Sequence, residues 1–247
     1  MSNDKFTEDI LKIVEKAVSI YGVDIRNKLS RLSSKLIELH RMNRVKINHS
    51  IMEIVMGAYF IDRGYEVDVE ADVGDKLIAD VVAYDDKEKI LVEIETGFTS
   101  PENALDPQSY LMARIVSKLA RYSKHSDIFS FATPLHNVLQ IPRVYLKPSK
   151  ERRREEMMIL KDLCDRYYSQ PPITIEDIAR PKIDSIYLIN VDTLRVKKQS
   201  LKQYMKTTIG KYMPKTIEVE KYVGWSQHSE QVRTRSAQPY NSQAVHP

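Results

Sequence analysis

Residues 77–95 read LIADVVAYDDKEKILVEIE, and this stretch decides the fold. Two apolar runs, 77–84 and 90–95, flank a short polar segment, which predicts a β-hairpin. A loop of two or four residues places Asp80 directly opposite Glu93, and strand alternation places Glu95 on the face of Glu93. A three-residue loop would shift the register by one and separate Asp80 from both glutamates. With an even loop, we expect one surface to carry three acids.

Carboxylates that face one another across a strand pair repel, so this arrangement requires a compensating partner. A divalent cation is the natural one, because carboxylate oxygens are hard ligands that suit Mg²⁺ and Mn²⁺. We therefore expect Asp80, Glu93 and Glu95 to bind Mg²⁺ or Mn²⁺. The alternative is an amphipathic strand whose two glutamates face solvent. Asp80 argues against it, since the rest of its run is apolar or aromatic.

A fourth acid lies upstream in segment 51–61, which is apolar at helical length and predicts a buried helix. Glu53 is its one charged residue. An ionised carboxylate is costly to bury alone, so Glu53 should lie at the helix edge, be paired, or lie near a metal. The alternative is a glutamate at the mouth of a core helix. Gly64 favours a helix stop, and residues 65–70 alternate as a first strand does.

The order of these elements resembles the PD-(D/E)XK nuclease superfamily over residues 47–135. That superfamily includes restriction endonucleases, archaeal Holliday junction resolvases and nucleases of archaeal viruses. The resemblance implies an α/β fold with a restriction endonuclease-like core, a mixed central β-sheet flanked by helices. It also implies that Asp80 and Glu93 hold the metal and that Glu53 is the helical acid. Glu95 stands where the second motif usually has Lys. Certain restriction endonucleases of the superfamily also carry Glu at this position, so the change does not exclude catalysis. It leaves the base or charge-stabilising role unassigned.

The next helix offers a substitute for that lysine. Residues 106–122 predict a helix that begins with an N-cap Asp and a Pro at its first position. Arg114, Lys118 and Arg121 recur at helical spacing away from its apolar stripe. Beside the acids they could hold a DNA strand and stabilise charge on its phosphate, with Lys118 replacing the missing lysine. The alternative for each is a solvated charged face.

These groups predict metal-dependent hydrolysis of DNA phosphodiester bonds, in which carboxylate-bound Mg²⁺ activates water. The expected catalytic residues are Glu53, Asp80, Glu93, Glu95 and Lys118, with Glu95 orienting the water, holding a second ion or acting as base. We expect a DNA substrate, duplex or branched, and a homodimer, because many enzymes of the superfamily cut two strands with two subunits. The alternatives are a catalytically inactive DNA-binding module with a nuclease fold, which the Glu95 replacement favours, and an unrelated soluble α/β protein.

The composition sets limits on other classes of protein. With 247 residues, of which 42% are hydrophobic and 29% charged, the chain can bury one sizeable core. No apolar run has the length of a membrane span, and the first residues lack signal-peptide features, so we expect a cytoplasmic protein, in the host cytoplasm if viral. The single cysteine, Cys164, excludes an internal disulfide and zinc sites built from several cysteines. We expect it to be packed within a helix.

The net charge of +4 is modest, so affinity for DNA requires local basic patches. The first patch lies within residues 26–46, on a predicted helix docked through its leucines that can still present its basic side. The second spans residues 147–154 and offers Lys150, Arg152 and Arg153 as DNA contacts. The alternative for the second patch is a solvated helix face.

We expect three parts of the chain: a helical extension (1–46), a nuclease-like core (47–225) and a flexible polar tail (226–247). The extension should contain two helices, near residues 7–21 and 30–42. Beyond the helix at 106–122, the core should contain a strand at 127–133, a charged helix at 148–168 and a strand at 185–190.

Overall fold

The computed structural model describes residues 4–168 and 170–209, so the expected tail at 226–247 lies outside the described residues. The helices of the described part are α1 (Lys5–Tyr21), α2 (Arg26–Arg41), α3 (Ile47–Ile61), α4 (Pro107–Tyr122), α5 (Arg154–Tyr167), α6 (Ile175–Ala179) and α7 (Leu201–Tyr204). Its strands are β1 (Glu66–Gly74), β2 (Leu77–Tyr84), β3 (Lys89–Ile94), β4 (Ile128–Pro134), β5 (Ser185–Asn190) and β6 (Arg195–Gln199). No helix among these residues is long and apolar enough to cross a membrane.

The strands form one six-stranded sheet in the order β1-β2-β3-β4-β5-β6. Neighbours are antiparallel from β1 to β3 and between β5 and β6, whereas β3, β4 and β5 are parallel. Parallel neighbours need a long crossover, and helices supply it: α4 joins β3 to β4, and α5 with α6 joins β4 to β5. The predicted mixed α/β sheet flanked by helices is confirmed.

The β2–β3 hairpin has the predicted register. Val81 pairs with Val92 and Tyr84 with Lys89, which leaves a four-residue loop. Asp85 closes this loop, because its side chain accepts the backbone N–H of Lys87 at 2.8 Å and of the next residue at 2.9 Å. Continued by one residue, the register sets Asp80 opposite Glu93.

Helix α3 packs against the sheet and against α1 and α2. Leu29, Leu32 and Leu36 of α2 are 0–4% exposed, so the predicted docking of the first basic helix through its leucines is confirmed. The helices approach closely at Gly57, where an added Cβ would lie 2.6 Å from Cδ1 of Leu32. This packing buries α3 almost completely and takes Glu53 into the interior with it.

Helix α5 begins later than the sequence predicts. Residues 149–151 form a separate 3-10 turn, and the helix starts at residue 154, so the expected helix over 148–153 is wrong. The guanidinium of Arg152 explains the difference: it donates to the carbonyls of Ala179 and Pro181, both at 2.6 Å, and lies 4.8 Å from the ring centre of Tyr145. Farther along α5, Cys164 is fully buried, as predicted.

Candidate functional site

Acids on three neighbouring strands form a row across the sheet. Val69 pairs with Val81, and Ala71 pairs with Ala79. Glu70 of β1 lies between these two pairs and therefore opposite Asp80 of β2. Asp80 in turn lies opposite Glu93 of β3. Glu70 has a φ of 45°, so the backbone of β1 is irregular at this position. The row therefore contains one acid that the sequence did not single out.

Asp80 and Glu93 replace part of the backbone ladder between their strands. The N–H of Ile94 donates to Oδ2 of Asp80 at 2.6 Å, and the N–H of Asp80 donates to Oε1 of Glu93 at 3.3 Å. Each carboxylate is thus fixed by the backbone of the opposite strand.

Just beyond β3, the Glu95 carbonyl accepts hydrogen bonds from Oγ1 of Thr133 at 2.8 Å and Nδ2 of Asn137 at 3.1 Å. Its own N–H donates to the carbonyl of Ala132 at 2.8 Å. These bonds fix the backbone at the point where the chain leaves the sheet, and thereby the start of the Glu95 side chain.

Helix α4 brings two cations to the acids. Nζ of Lys118 lies 2.7 Å from Oε1 of Glu95, 2.9 Å from Oε2 of Glu93 and 3.6 Å from Oδ2 of Asp80. Nε of Arg114, one turn earlier, lies 3.1 Å from the Glu95 carboxylate. Lys118 therefore contacts all three acids that the hairpin pattern predicts to share a surface.

The sequence of α4 accounts for this placement. The side chain of Asp106 accepts the N–H of Ser109 at 3.3 Å, which caps the helix at the predicted residue. Ile115 and Leu119 are buried, as the predicted apolar stripe requires. Residues four apart lie on the same side of a helix, so fixing the buried stripe also sets the direction of the basic residues at 114 and 118.

Helix α3 supplies a second group of ligands, His49 and Glu53. Nε2 of His49 lies 3.1 Å from Oδ1 of Asp80 and 3.6 Å from Oε1 of Glu53. The Glu53 side chain is fully buried and accepts no hydrogen bond from an N–H group of the described residues, although the Glu70 carboxyl lies within hydrogen-bond reach of it. Of the expected positions for Glu53, the edge of the helix is excluded. His49 was missed, although its i,i+4 spacing from Glu53 is a readable signal.

The charges around Lys118 shift the pKa values of the groups that it contacts. Burial and the negative charge of Asp80 raise the pKa of Glu93 to about 8. Burial alone would raise the pKa of Asp80 too, but the positive charges of Lys118 and His49 outweigh it and lower that pKa. Burial opposes the charge on Lys118, yet the acids around it raise its pKa well above the ordinary value. Lys118 therefore remains protonated.

Glu53 and Glu70 lie on the other side of Asp80. Burial and the negative charges of Asp80 and Glu70 raise the pKa of Glu53 well above its ordinary value. Burial and the charge of Asp80 also raise the pKa of Glu70, while a hydrogen bond with Glu53 and the positive charges of His49 and Arg44 oppose this rise. An additional cation would relieve this unfavourable concentration of buried carboxyl groups.

The residues on the α3 side fit a divalent cation. One ligand atom from each of His49, Glu53 and Asp80 can be chosen so that all three lie within 4.8 Å of one another. The Glu53 oxygens are buried, and their partner, the Glu70 carboxyl, is itself an acid, so a cation would offset charge there. One imidazole and two carboxylates suit Mn²⁺ or another borderline metal better than Mg²⁺. Asp80 is the one member of the predicted metal set in this group.

The other predicted DNA-binding residues do not join the acids. Arg121 donates to the backbone carbonyls of Tyr168, at 3.3 Å, and Pro171, at 2.9 Å. Arg152 is engaged by carbonyls near α6, as described above, while Lys150 and Arg153 are exposed at the start of α5. Of the six predicted DNA contacts, only Arg114 and Lys118 contact the acid cluster among the described residues.

Comparison with protein-family models, curated proteins and solved structures found no significant match. A functional assignment therefore depends on the chemistry of the side chains that the fold brings together.

Proposed function

We propose that this chain is a metal-dependent deoxyribonuclease of the PD-(D/E)XK type, which hydrolyses DNA phosphodiester bonds. The observation that carries the proposal is the position of Lys118, whose ammonium group contacts Asp80, Glu93 and Glu95. Glu95 occupies the position where the superfamily usually has a lysine, and the next helix supplies a lysine to the same group of acids. The charge balance expected of such a site is thereby retained.

A divalent cation would be held by Asp80 together with His49 and Glu53, whose ligand atoms already lie close together. When bound, the cation would lower the pKa of a coordinated water and offset negative charge on the scissile phosphate. The imidazole leads us to expect higher activity with Mn²⁺ than with Mg²⁺.

Lys118 supplies the positive charge that stabilises the transition state at the phosphate. Glu95 has a positioning role in this proposal, because both Lys118 and Arg114 contact its carboxylate.

A second candidate is a DNA-binding module that keeps the nuclease fold without cleavage. One observation favours it: Lys118 and Arg114 together compensate the strand acids without any metal. Such a module should bind DNA equally well in the presence of a chelator. Neutralising Asp80 should leave its binding intact or tighten it, because a repulsive charge near phosphate is removed.

The test is cleavage of supercoiled, linear and four-way-junction DNA with Mg²⁺ or Mn²⁺. The intact chain is compared with Asp80→Asn and Glu93→Gln, and with Asp75→Asn as a matched control. Asp75 is exposed and paired with Lys124, so its neutralisation changes net charge equally without touching the acid cluster. Cleavage that requires metal, survives in the control and is lost in both site variants supports the nuclease.

Two other results would contradict the proposal. If the chain slows DNA in a gel but does not cut it with either metal, the binding module replaces the nuclease as the proposed function. Cleavage that persists in Asp80→Asn, at the rate of the Asp75→Asn control, would show that the activity does not depend on this site.

A further inference from the structure

The turn between α2 and α3, residues 41–46, is rigidly built. Asn43 adopts a φ of 58°, and the N–H groups of Asn43 and Arg44 donate to the carbonyls of His40 (2.8 Å) and Leu39 (2.9 Å), which is the Schellman pattern of a helix end. The backbone tolerates Asn in this left-handed conformation better than most residues. Nδ1 of His40 also lies 3.2 Å from the carbonyl of Val45, which is itself buried.

We call residues 41–46 the basic turn, since it presents Arg41, Arg44 and Lys46, all exposed. None of the three forms an ion pair with another residue of the described chain, although the Asp4 carboxylate lies near enough to sense the charge of Arg41. Three cations of α2, Arg26, Lys28 and Lys35, differ in this respect, because each pairs with an acid.

Lys28 and Lys35 of α2 are both neutralised by acids of β1. Lys28 pairs with Glu66, and Nζ of Lys35 lies 2.8 Å from the Asp68 carboxylate. These paired lysines differ from the three cations of the basic turn, whose charges are uncompensated within the described residues.

The basic turn adjoins the acid cluster on its α3 side. Lys46 immediately precedes α3, and His49, which contacts Asp80, lies in the first turn of that helix. The charge of Arg44 acts on Glu70, the acid opposite Asp80 in the sheet. Arg114 and Lys118 approach the same cluster from α4. Positive charge therefore borders the acid cluster on its α3 side and on its α4 side.

We propose that the basic turn binds the phosphodiester backbone of the DNA substrate beside the acid cluster. This inference rests on the nuclease proposal and adds the direction from which the substrate reaches the site. Guanidinium groups bind phosphate oxygens in bidentate fashion, and the two arginines are free to do so. A turn fixed by its own hydrogen bonds loses little entropy on binding, which favours affinity. The contacts are to phosphate, so they position DNA of any sequence.

The test is the salt dependence of DNA binding by the full chain, measured by fluorescence anisotropy on a labelled duplex in chelator, where no cleavage occurs. Each phosphate contact contributes about 0.9 to the slope of log affinity against log salt. Arg41→Gln with Arg44→Gln should reduce the slope by about 1.8, from two contacts of about 0.9 each. Lys28→Gln with Lys35→Gln is the matched control, since it removes the same charge from α2 positions that are paired with acids of β1.

The control pair should leave the slope unchanged, and Arg41→Lys with Arg44→Lys should retain most of it, because lysine keeps the charge. Thermal unfolding followed by circular dichroism establishes that the variants are folded. Equal reductions in both glutamine pairs would indicate a net-charge effect and overturn the proposal, as would an unchanged slope in both.

Cleavage by the intact chain, measured in parallel with Mn²⁺, separates this inference from the nuclease proposal. If the salt slope depends on the basic turn but the chain does not cleave DNA, the nuclease proposal is refuted and the inference that the basic turn binds DNA is retained. If the chain cleaves DNA but the salt slope does not depend on the basic turn, the nuclease proposal is retained and the inference about the basic turn is refuted.

Discussion

Replacing Lys118 with Met tests the balance of charge on which the site depends. Met has similar length and no charge, so the substitution removes the ammonium group and keeps most of the packing. The Lys118 side chain is 18% exposed, and those of Glu93 and Glu95 are 1% and 3% exposed. Three acids would then lie together with only Arg114 and His49 beside them.

The structure sets the size of the expected effect. Removing one partner of a buried ion pair typically costs about 3–5 kcal/mol. Arg114 remains on Glu95, and Glu93, whose pKa is about 8, is mostly protonated and uncharged at neutral pH. Both features reduce the cost, so we expect a loss of about 3 kcal/mol at neutral pH without metal, the lower end of that range.

The assay is urea unfolding in chelator followed by circular dichroism, with Lys161→Met as control. Nζ of Lys161 lies 2.7 Å from Asp165, but that pair is exposed on α5, so its loss should cost less than about 1 kcal/mol. Mn²⁺ should stabilise the Lys118→Met variant more than the intact chain, because a bound cation would compensate Asp80, the acid that the proposed metal site shares with Lys118. A Lys118→Met variant as stable as the Lys161→Met control would refute the reasoning.

Two further predictions concern the same region. The pKa of Glu93 is about 8 in the folded chain, whereas that of an unfolded Glu is about 4.3. Between these two pH values the folded state binds more protons than the unfolded state. The free energy of unfolding in chelator should therefore fall as pH rises from about 5 to 8. Glu93→Gln should flatten this decline relative to the exposed control Glu155→Gln, and parallel curves would contradict the assignment. Gly97 and Gly64 have φ of 76° and 89°, so alanine at either should cost about 1–2 kcal/mol in backbone strain. Gly97→Ala should cost about 1–2 kcal/mol more than Gly64→Ala in urea unfolding, because its Cβ would lie 2.2 Å from Oδ1 of Asn137 and displace the amide. A Cβ at Gly64 would have no atom within 4 Å. Equal costs for the two variants would show that the Asn137 amide moves freely.

Local patterns were sufficient to predict the hairpin and the helix that follows it. Strand alternation predicted that an even loop sets Asp80 opposite Glu93, and the four-residue loop of the structure meets that condition. The spacing of buried residues on α4 gave the direction of Lys118, and its contacts with the acids agree with that direction. In both cases the informative residues lie within one element or in two consecutive elements.

The remaining parts of the site depend on contacts between distant segments. The predicted helix containing Glu53 started at residue 51, which left His49 outside it, whereas α3 begins at Ile47. Glu70 joins the row of acids only through the register of β1 on β2. Arg152 is engaged by carbonyls about thirty residues later in the chain, which no local pattern indicates. Exposure was therefore predicted poorly for basic residues that fold back onto backbone groups.

In the proposed nuclease, the combination of a glutamate at position 95 with a lysine at position 118 has a simple physical basis. A transition state at a phosphate is stabilised by a positive charge at a point in space, whichever element carries it. Glu95 leaves the end of β3 and Lys118 extends from α4, and the two meet at 2.7 Å. A lysine on the strand would need no partner to hold it, whereas a lysine on the helix requires an acid that directs its long side chain toward the phosphate site. In the proposed nuclease, Glu95 directs the lysine of α4, so a glutamate at position 95 does not by itself argue against catalysis.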